Sequence, residues 1–385
     1  MTQAAINRRR EEFPTLVSGI HLLSHSLGPM PTTAREYMSA YCAAWEQHTN
    51  EDAWATAWWE LSQDVGDQIA AIIGAESGSI QIQPNASIAL ATVASCFDFA
   101  GGKRKKVVTS ALDFPSMEYI WEAQRALGAE IVIVDSADGI SLNLEELLAA
   151  IDDNTALVAM SHTSFRSSYR VDARAVVERA HQAGALCLLD IYQSAGAMKL
   201  EAKDWNVDFL IGGTIKWLCG GPACGYLYVR PDLQKDLRPR LTGWVAHDAP
   251  FEFAHVPMRY AKSVRRFAQG TPSIPALYSA LGGLKIISEV GIDVISAESQ
   301  RRTEMMIEFA LDRGWQVNTP RAMANRGGSI MIGVPDGPAM VQRLAERKVF
   351  VDSRPGVGLR MSPHFFNTDE EVSEAFAILA QLIGR

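Results

Sequence analysis

The stretch GGTIKWLCGGPACGYLYVR (residues 212–230) carries one lysine, fenced by glycines, ahead of an apolar run that ends in arginine. The plain alternative for that lysine is a solvated loop position. The flanks argue for a turn between two strands, FLIGGT (209–214) and GYLYVR (225–230). Working outward, KVVTS (106–110), EIVIVD (130–135), ALVAMSHTS (156–164) and LCLLDIY (186–192) are aliphatic and β-branched runs of the kind that form buried strands. Segments of helical period separate them at 116–127, 144–151 and 172–183. This alternation from about residue 80 to 230 predicts an α/β fold, a mostly parallel sheet with helices on both faces.

The chain has 385 residues, 48% of them apolar, enough for a large core and two domains. Its formal charge of -8 offers no basic field for nucleic acid or anionic lipid, so a small-molecule substrate is expected. Five cysteines without zinc-ligand spacing read as reduced, mostly structural thiols. The charged start MTQAAINRRREEF is followed by no signal-like apolar stretch, and a cytoplasmic protein is expected. Residues 50–74 form a helical segment whose tryptophans and isoleucines recur at helical spacing, the mark of core or interface. After Pro272 a long helical stretch to residue 311 precedes the short strand-like runs WQVNT, GSIMIGV and VFVDSR and a last helix from Asp369. The expected division is an N-terminal segment (1–30) packing near the active site and the small domain, a large cofactor-binding domain (31–275), and a smaller C-terminal α+β domain (276–385).

Ligands of open α/β sheets gather beyond the carboxyl ends of the strands. Asp190, His162 and Lys216 end strands there, and Phe114 follows another. An aspartate and a lysine converging on one crevice, with Asn85-Ala86-Ser87 opening a helix nearby, match the needs of pyridoxal phosphate. That cofactor takes a lysine for its Schiff base, an acid for its pyridine nitrogen and a helix N-terminus for its phosphate.

The motifs support a named resemblance. HLLSHSLGPMP, QPNASIAL, ALDFPSMEY, DIYQSAG, GGTIKWLCGGP, GWVAH, FAQGTPSIPAL and GVGLRMSPHFFNTDEEV occur in this order. Together they resemble the class V, fold-type I, pyridoxal-phosphate-dependent aminotransferase superfamily, and within it the kynureninase-like kind. The resemblance implies that Lys216 carries the cofactor, Asp190 partners the pyridinium nitrogen, Phe114 stacks on the ring and Gln193 faces the ring oxygen. It implies phosphate donors at Asn85, Ala86, Ser87 and Thr214, with Thr271 reaching the phosphate from a second copy, hence a homodimer with shared sites. Arg360 matches the arginine that binds the substrate carboxylate, and Trp244, His247 and His25 are candidates for the side-chain pocket. Arg354 is a possible second cation, and Gly356 and Gly358 are read as letting their segment close over the substrate.

Three positions depart from the kynureninase pattern of aspartate, histidine and tyrosine: Met117, Gln193 and Ile215 stand there. Cleaving kynurenine requires a proton donor near a developing carbanion, so an aminotransferase is the leading expectation, with a kynureninase-like hydrolase or lyase as the alternative. Tyr192, His162 or His247 would have to substitute for the missing groups. Cysteine desulfurase chemistry needs a nucleophilic cysteine in the C-terminal part, and none follows Cys224. A nicotinamide-dependent dehydrogenase fits the alternation but lacks G-x-G-x-x-G after a strand. A non-catalytic binding protein on the same fold is the remaining alternative.

Overall fold

A computed structural model of the chain describes residues 9–48 and 50–384. The first eight residues, part of the charged start considered above, lie outside the described residues. A short strand β1 (Ile20–His21) comes first. Seven strands then build the main sheet: β2 (Ile80–Gln83), β3 (Lys106–Ser110), β4 (Glu130–Val134), β5 (Thr155–Ser161), β6 (Leu186–Asp190), β7 (Phe209–Gly213) and β8 (Gly225–Val229). Their order is β2-β8-β7-β6-β5-β3-β4. Neighbours from β7 to β4 pair in parallel, while β8 runs antiparallel to both β7 and β2. Because β3, β5, β6 and β7 all point the same way, their carboxyl ends open onto one edge. The residues after Ser110, Ser161, Asp190 and Gly213 meet there.

The central strands are buried on both faces, as their unbroken apolar runs require. Helices cover both faces, and their starts are specified locally. Asp172 accepts from Ala175 N (3.0 Å) ahead of Ala173–Gln182, and Thr368 and Glu371 form a capping box for Asp369–Ile383. The segment expected as one helix at 50–74 is instead Asn50–Ala53, a π turn Trp54–Trp58 and the helix Leu61–Ile73. The Trp54 and Trp58 rings pack against each other edge to face, with centroids 5.6 Å apart, inside that widened turn.

Beyond the sheet the helices Ile274–Val290 and Ile292–Asp312 follow each other, broken at Gly291. A three-stranded sheet holds β9 (Ile330–Ile332), β11 (Asp352–Arg354) and β12 (Gly358–Met361), while β10 (Val349–Phe350) pairs with β1. WQVNT forms no strand of its own; Val317 bridges to Ile332 alone. Leu22, Ile332, Leu359, Met361 and Phe376 share a second core with Met306 and Ile307. The helix Ile274–Val290 belongs instead to the main core, with Leu189 and Leu218, and so does Ile295, so the change of core falls within the helix Ile292–Asp312.

Gly283 decides how close that helix comes to the lysine turn. A Cβ there would lie 2.2 Å from Leu218 O and 2.5 Å from the Cys219 carbonyl carbon. In an exposed helix, Gly→Ala gains about 1 kcal/mol, but overpacking against fixed backbone costs about 1–3 kcal/mol. Gly283→Ala is therefore expected to destabilise the protein, by about 1 kcal/mol or more, and to lower its thermal midpoint. A raised midpoint would show that the turn yields freely.

Candidate active site

A cavity of about 250 Å³ opens where the strand ends converge, lined among others by Asn85, Ala86, Ser87, Phe114, Asp190 and Lys216. Lys216 sits on the connection from β7 to β8, and Asp190 is the last residue of β6. The lysine Nζ lies 4.1 Å from the centroid of the Tyr192 ring and 5.8 Å from that of Phe114. Among the described residues it forms no ion pair. Enclosure pushes its pKa down to about 8, with Arg360 and Arg354 adding to the shift and Asp190 opposing it. Asp190 accepts from Tyr192 N (2.8 Å). Enclosure raises its pKa to about 6, the backbone bond and Lys216 offsetting only part of the effect. Each group is short of compensating charge.

The lysine turn is held from several sides. Gly28 N donates to Ile215 O (2.8 Å), and His364 Nε2 donates to Trp217 O (2.9 Å). Trp217 Nε1 donates to Gln193 Oε1 (3.0 Å), whose Nε2 donates to His25 O (3.0 Å). Gln193 lines the cavity, but its amide oxygen and one amide donor tie the entry segment to the lysine turn. Asp113, which the sequence reading passed over, fixes the turn before Phe114. It accepts from Thr109 Oγ1 (2.7 Å), Ser110 N (2.9 Å) and Ser161 N (2.6 Å), joining β3 to β5. The Phe114 ring meets Phe165 edge to face at 5.1 Å and is 44% exposed, so one side packs and the other remains open.

The helix Ala86–Ala94 begins at the cavity wall, with Asn85 accepting from Ile88 N (2.9 Å). A Cβ on Gly225 would fall 2.6 Å from Asn85 Cα, so the start of β8 lies flush beneath that turn. Free helix-start amides, an open aromatic face, an under-compensated carboxylate and an enclosed lysine around one cavity fit pyridoxal phosphate.

Several expected residues lie elsewhere. Thr214 is fully buried and donates to Gly221 O (3.1 Å) in the neck of the β7–β8 loop, so its hydroxyl is turned away from the cavity lining. His162 is turned away too: its Nδ1 meets Ser194 Oγ (2.8 Å) and its ring lies 5.1 Å from Trp205. Ser161 and Thr163, on either side of it, line the cavity. His25 is buried against Ser362 and Asp352 rather than facing the cavity. Thr271 lines a separate surface cavity with Arg265 and Gln83. Trp244 and His247 line another, where Trp244 joins an exposed aromatic group with Phe251 and Phe253. The segment of Gly356 and Gly358 is a paired β-hairpin rather than a closing loop, since Arg354 pairs with Gly358 across β11 and β12. Arg360 is buried at that hairpin and bonded to Asp352.

Residues 30–373 match the family model described as Aminotransferase class-V. The chain is 32% identical to an uncharacterized aminotransferase, YcbU, of Bacillus subtilis (strain 168), over 96% of both chains. It is 31% identical to the kynureninase of Pseudomonas fluorescens, over 98% of this chain and 92% of that one. A solved mutant of C-DES with glycine covalently linked to its PLP cofactor shares the fold at TM-score 0.86 and 19% identity, over 96% of this chain and 98% of that one.

Burial lowers the pKa of four histidines: His21, His25 and His364 to about 4 and His162 to about 3. As pH falls below about 6.5 the unfolded chain takes up protons at these positions that the native chain refuses, so stability falls. Asp190, Asp113 and Glu118, all raised, act in the opposite sense, but they are three groups against four. Urea unfolding of the cofactor-free protein should show its midpoint dropping from pH 6.5 to 4.5, and His162→Gln should flatten that slope. A midpoint that holds or rises over this interval contradicts the assignment.

Proposed function

Because the chain belongs to the class-V aminotransferase family, a family of pyridoxal-phosphate enzymes, we propose that it transfers the amino group of an α-amino acid to a keto acid. The observation that carries the proposal is the pairing of Lys216, lowered to about 8, with Asp190, raised to about 6, around one cavity. The bound cofactor supplies an electron sink for the substrate α-carbon, provided its ring nitrogen stays protonated. Asp190 keeps that proton in place, and the ring's positive charge completes the compensation the carboxylate lacks. Lys216 would carry the cofactor and, once a substrate amine has taken its place there, its freed amine would take and return a proton at the substrate carbon. Asn85, Ala86 and Ser87 hold the phosphate, and Phe114 covers one ring face. Gln193 positions the lysine turn through Trp217. Arg360 binds the substrate carboxylate.

A second reading, hydrolytic cleavage of a kynurenine-type side chain, draws on the kynureninase relative. The cavity opposes it. Met117 lines the wall where an acid is expected, its sulfur accepting from Trp121 Nε1 (3.2 Å), and both ends of the Gln193 amide are engaged in fixing the turn.

The enzyme is further proposed to act as a homodimer. Thr271 lies outside the Lys216 cavity of its own chain, and Phe251 and Phe253 expose 57% and 72% of their surface beside Trp244. A second copy covering that apolar group would bring Thr271 toward a neighbouring phosphate. The working parts are then the entry segment 1–30, the cofactor-binding part 31–275 with the helix Ile274–Val290 packed on it, and the C-terminal part that brings Arg360. Among the described residues no helix is long and apolar enough to cross a membrane.

Lys216→Ala is expected to bind the cofactor yet lose its borohydride-reducible link and to slow turnover about 10³-fold or more. Asp190→Asn should keep the link but slow turnover about 10²-fold or more; an undiminished rate would move the acid elsewhere. Against a panel of amino acids, the visible cofactor band should bleach and then return on adding a keto acid. Rapid anthranilate release from kynurenine without bleaching by any amino acid would instead establish the hydrolase.

A further inference from the structure

Asp352 faces Arg360 directly across the hairpin of β11 and β12. The arginine is buried, 3% exposed, and its Nε donates to Asp352 Oδ1 (2.7 Å) and its Nη2 to Oδ2 (2.5 Å). Its Nη1 donates to Phe165 O (3.0 Å). A guanidinium has five N–H donors. Three are used within the protein, which leaves one on each terminal nitrogen, the number that a single carboxylate accepts.

The aspartate is anchored independently of the arginine. Its Oδ1 also takes His25 Nε2 (2.9 Å), and its Oδ2 also lies 3.1 Å from Arg354 Nη2. His25 is pinned in turn by Ser362 Oγ, which lies 2.7 Å from Nδ1 and accepts from the backbone N at 3.1 Å. Swinging Asp352 out of the fork would break its bonds to Arg360, His25 and Arg354 at once. The carboxylate is a fixed part of the site, one that offsets the charge of the buried Arg360 while leaving its two remaining donors in place; the second arginine on it, Arg354, has a side chain 41% exposed, so its charge is screened by solvent.

We infer that Asp352 is a specificity-determining positioning residue, which makes Arg360 select a planar monocarboxylate by hydrogen-bond geometry and refuse doubly charged tetrahedral oxyanions. A carboxylate needs two parallel donors and brings one charge. A sulfate or phosphate gains most from uncancelled positive charge, which Asp352 withholds. The inference rests on the proposed role of Arg360 toward the substrate carboxylate.

The test titrates the holoenzyme with acetate and with sulfate, following the cofactor absorbance and calorimetric heat, and compares the two half-saturating concentrations. The wild-type protein is expected to favour acetate at least tenfold. Asp352→Asn, checked for folding by circular dichroism, should lower that preference at least tenfold, chiefly by gaining sulfate affinity. An unchanged ratio in a folded Asp352→Asn protein overturns the inference, and so does a wild-type protein that binds both anions equally, which needs no variant at all. Arg360→Gln separates the two levels. If it leaves acetate binding intact, the role proposed for Arg360 fails; if it abolishes acetate binding while Asp352→Asn keeps the wild-type ratio, only the role of Asp352 fails.

Discussion

An enclosed lysine is the constraint around which the molecule is arranged. Bringing an ammonium group among apolar neighbours is costly unless its pKa falls or a counter-charge stands near. Here both occur, since Lys216 is lowered and Asp190 stands at the adjoining strand end. The backbone beneath it is bound by the entry segment at Ile215 and by the C-terminal segment at Trp217. The lysine turn is therefore where three remote parts of the sequence are tied together, and its geometry depends on all three.

Two arrangements of charge divide the site. Around the cofactor cavity, Asp190 and Lys216 are under-compensated, which suits a group that brings its own positive ring and negative phosphate. At the hairpin, Arg360, Arg354 and His25 all bond Asp352, and against the pull of burial His25 and Arg360 hold that carboxyl well below the usual carboxylate range. One region is short of partners, and in the other the buried arginine already has a carboxylate fixed against it.

Much of the fold was legible because parallel strands announce themselves. All six runs read as strands from 106 to 230 are strands, their ends displaced by at most three residues. β2 escaped notice because IQIQ alternates polar with apolar residues at the sheet's edge, and β12 because its glycines suggested a loop. The convergence of Asp190, Lys216, Phe114 and the Asn85 turn was legible too, since strand direction alone brings carboxyl ends together. Which way a side chain faces is a finer matter. His162 sits between Ser161 and Thr163, and the period of two turns it to the opposite face. The pair of Asp352 with Arg360 depends on hairpin register, which spacing along the chain does not reveal.

The helix Ile292–Asp312 has a mechanical consequence. Its 21 residues span roughly 30 Å. Ile295, near its start, is packed in the main core, whereas Met306, Ile307 and Ala310, toward its end, are packed in the other. It works as a strut whose two ends are cemented into different masonry, and any swing of the hairpin away from the lysine turn would have to bend it or pull one end free. The two cores are thus held apart by a stiff member, and whatever each carries keeps a nearly constant separation.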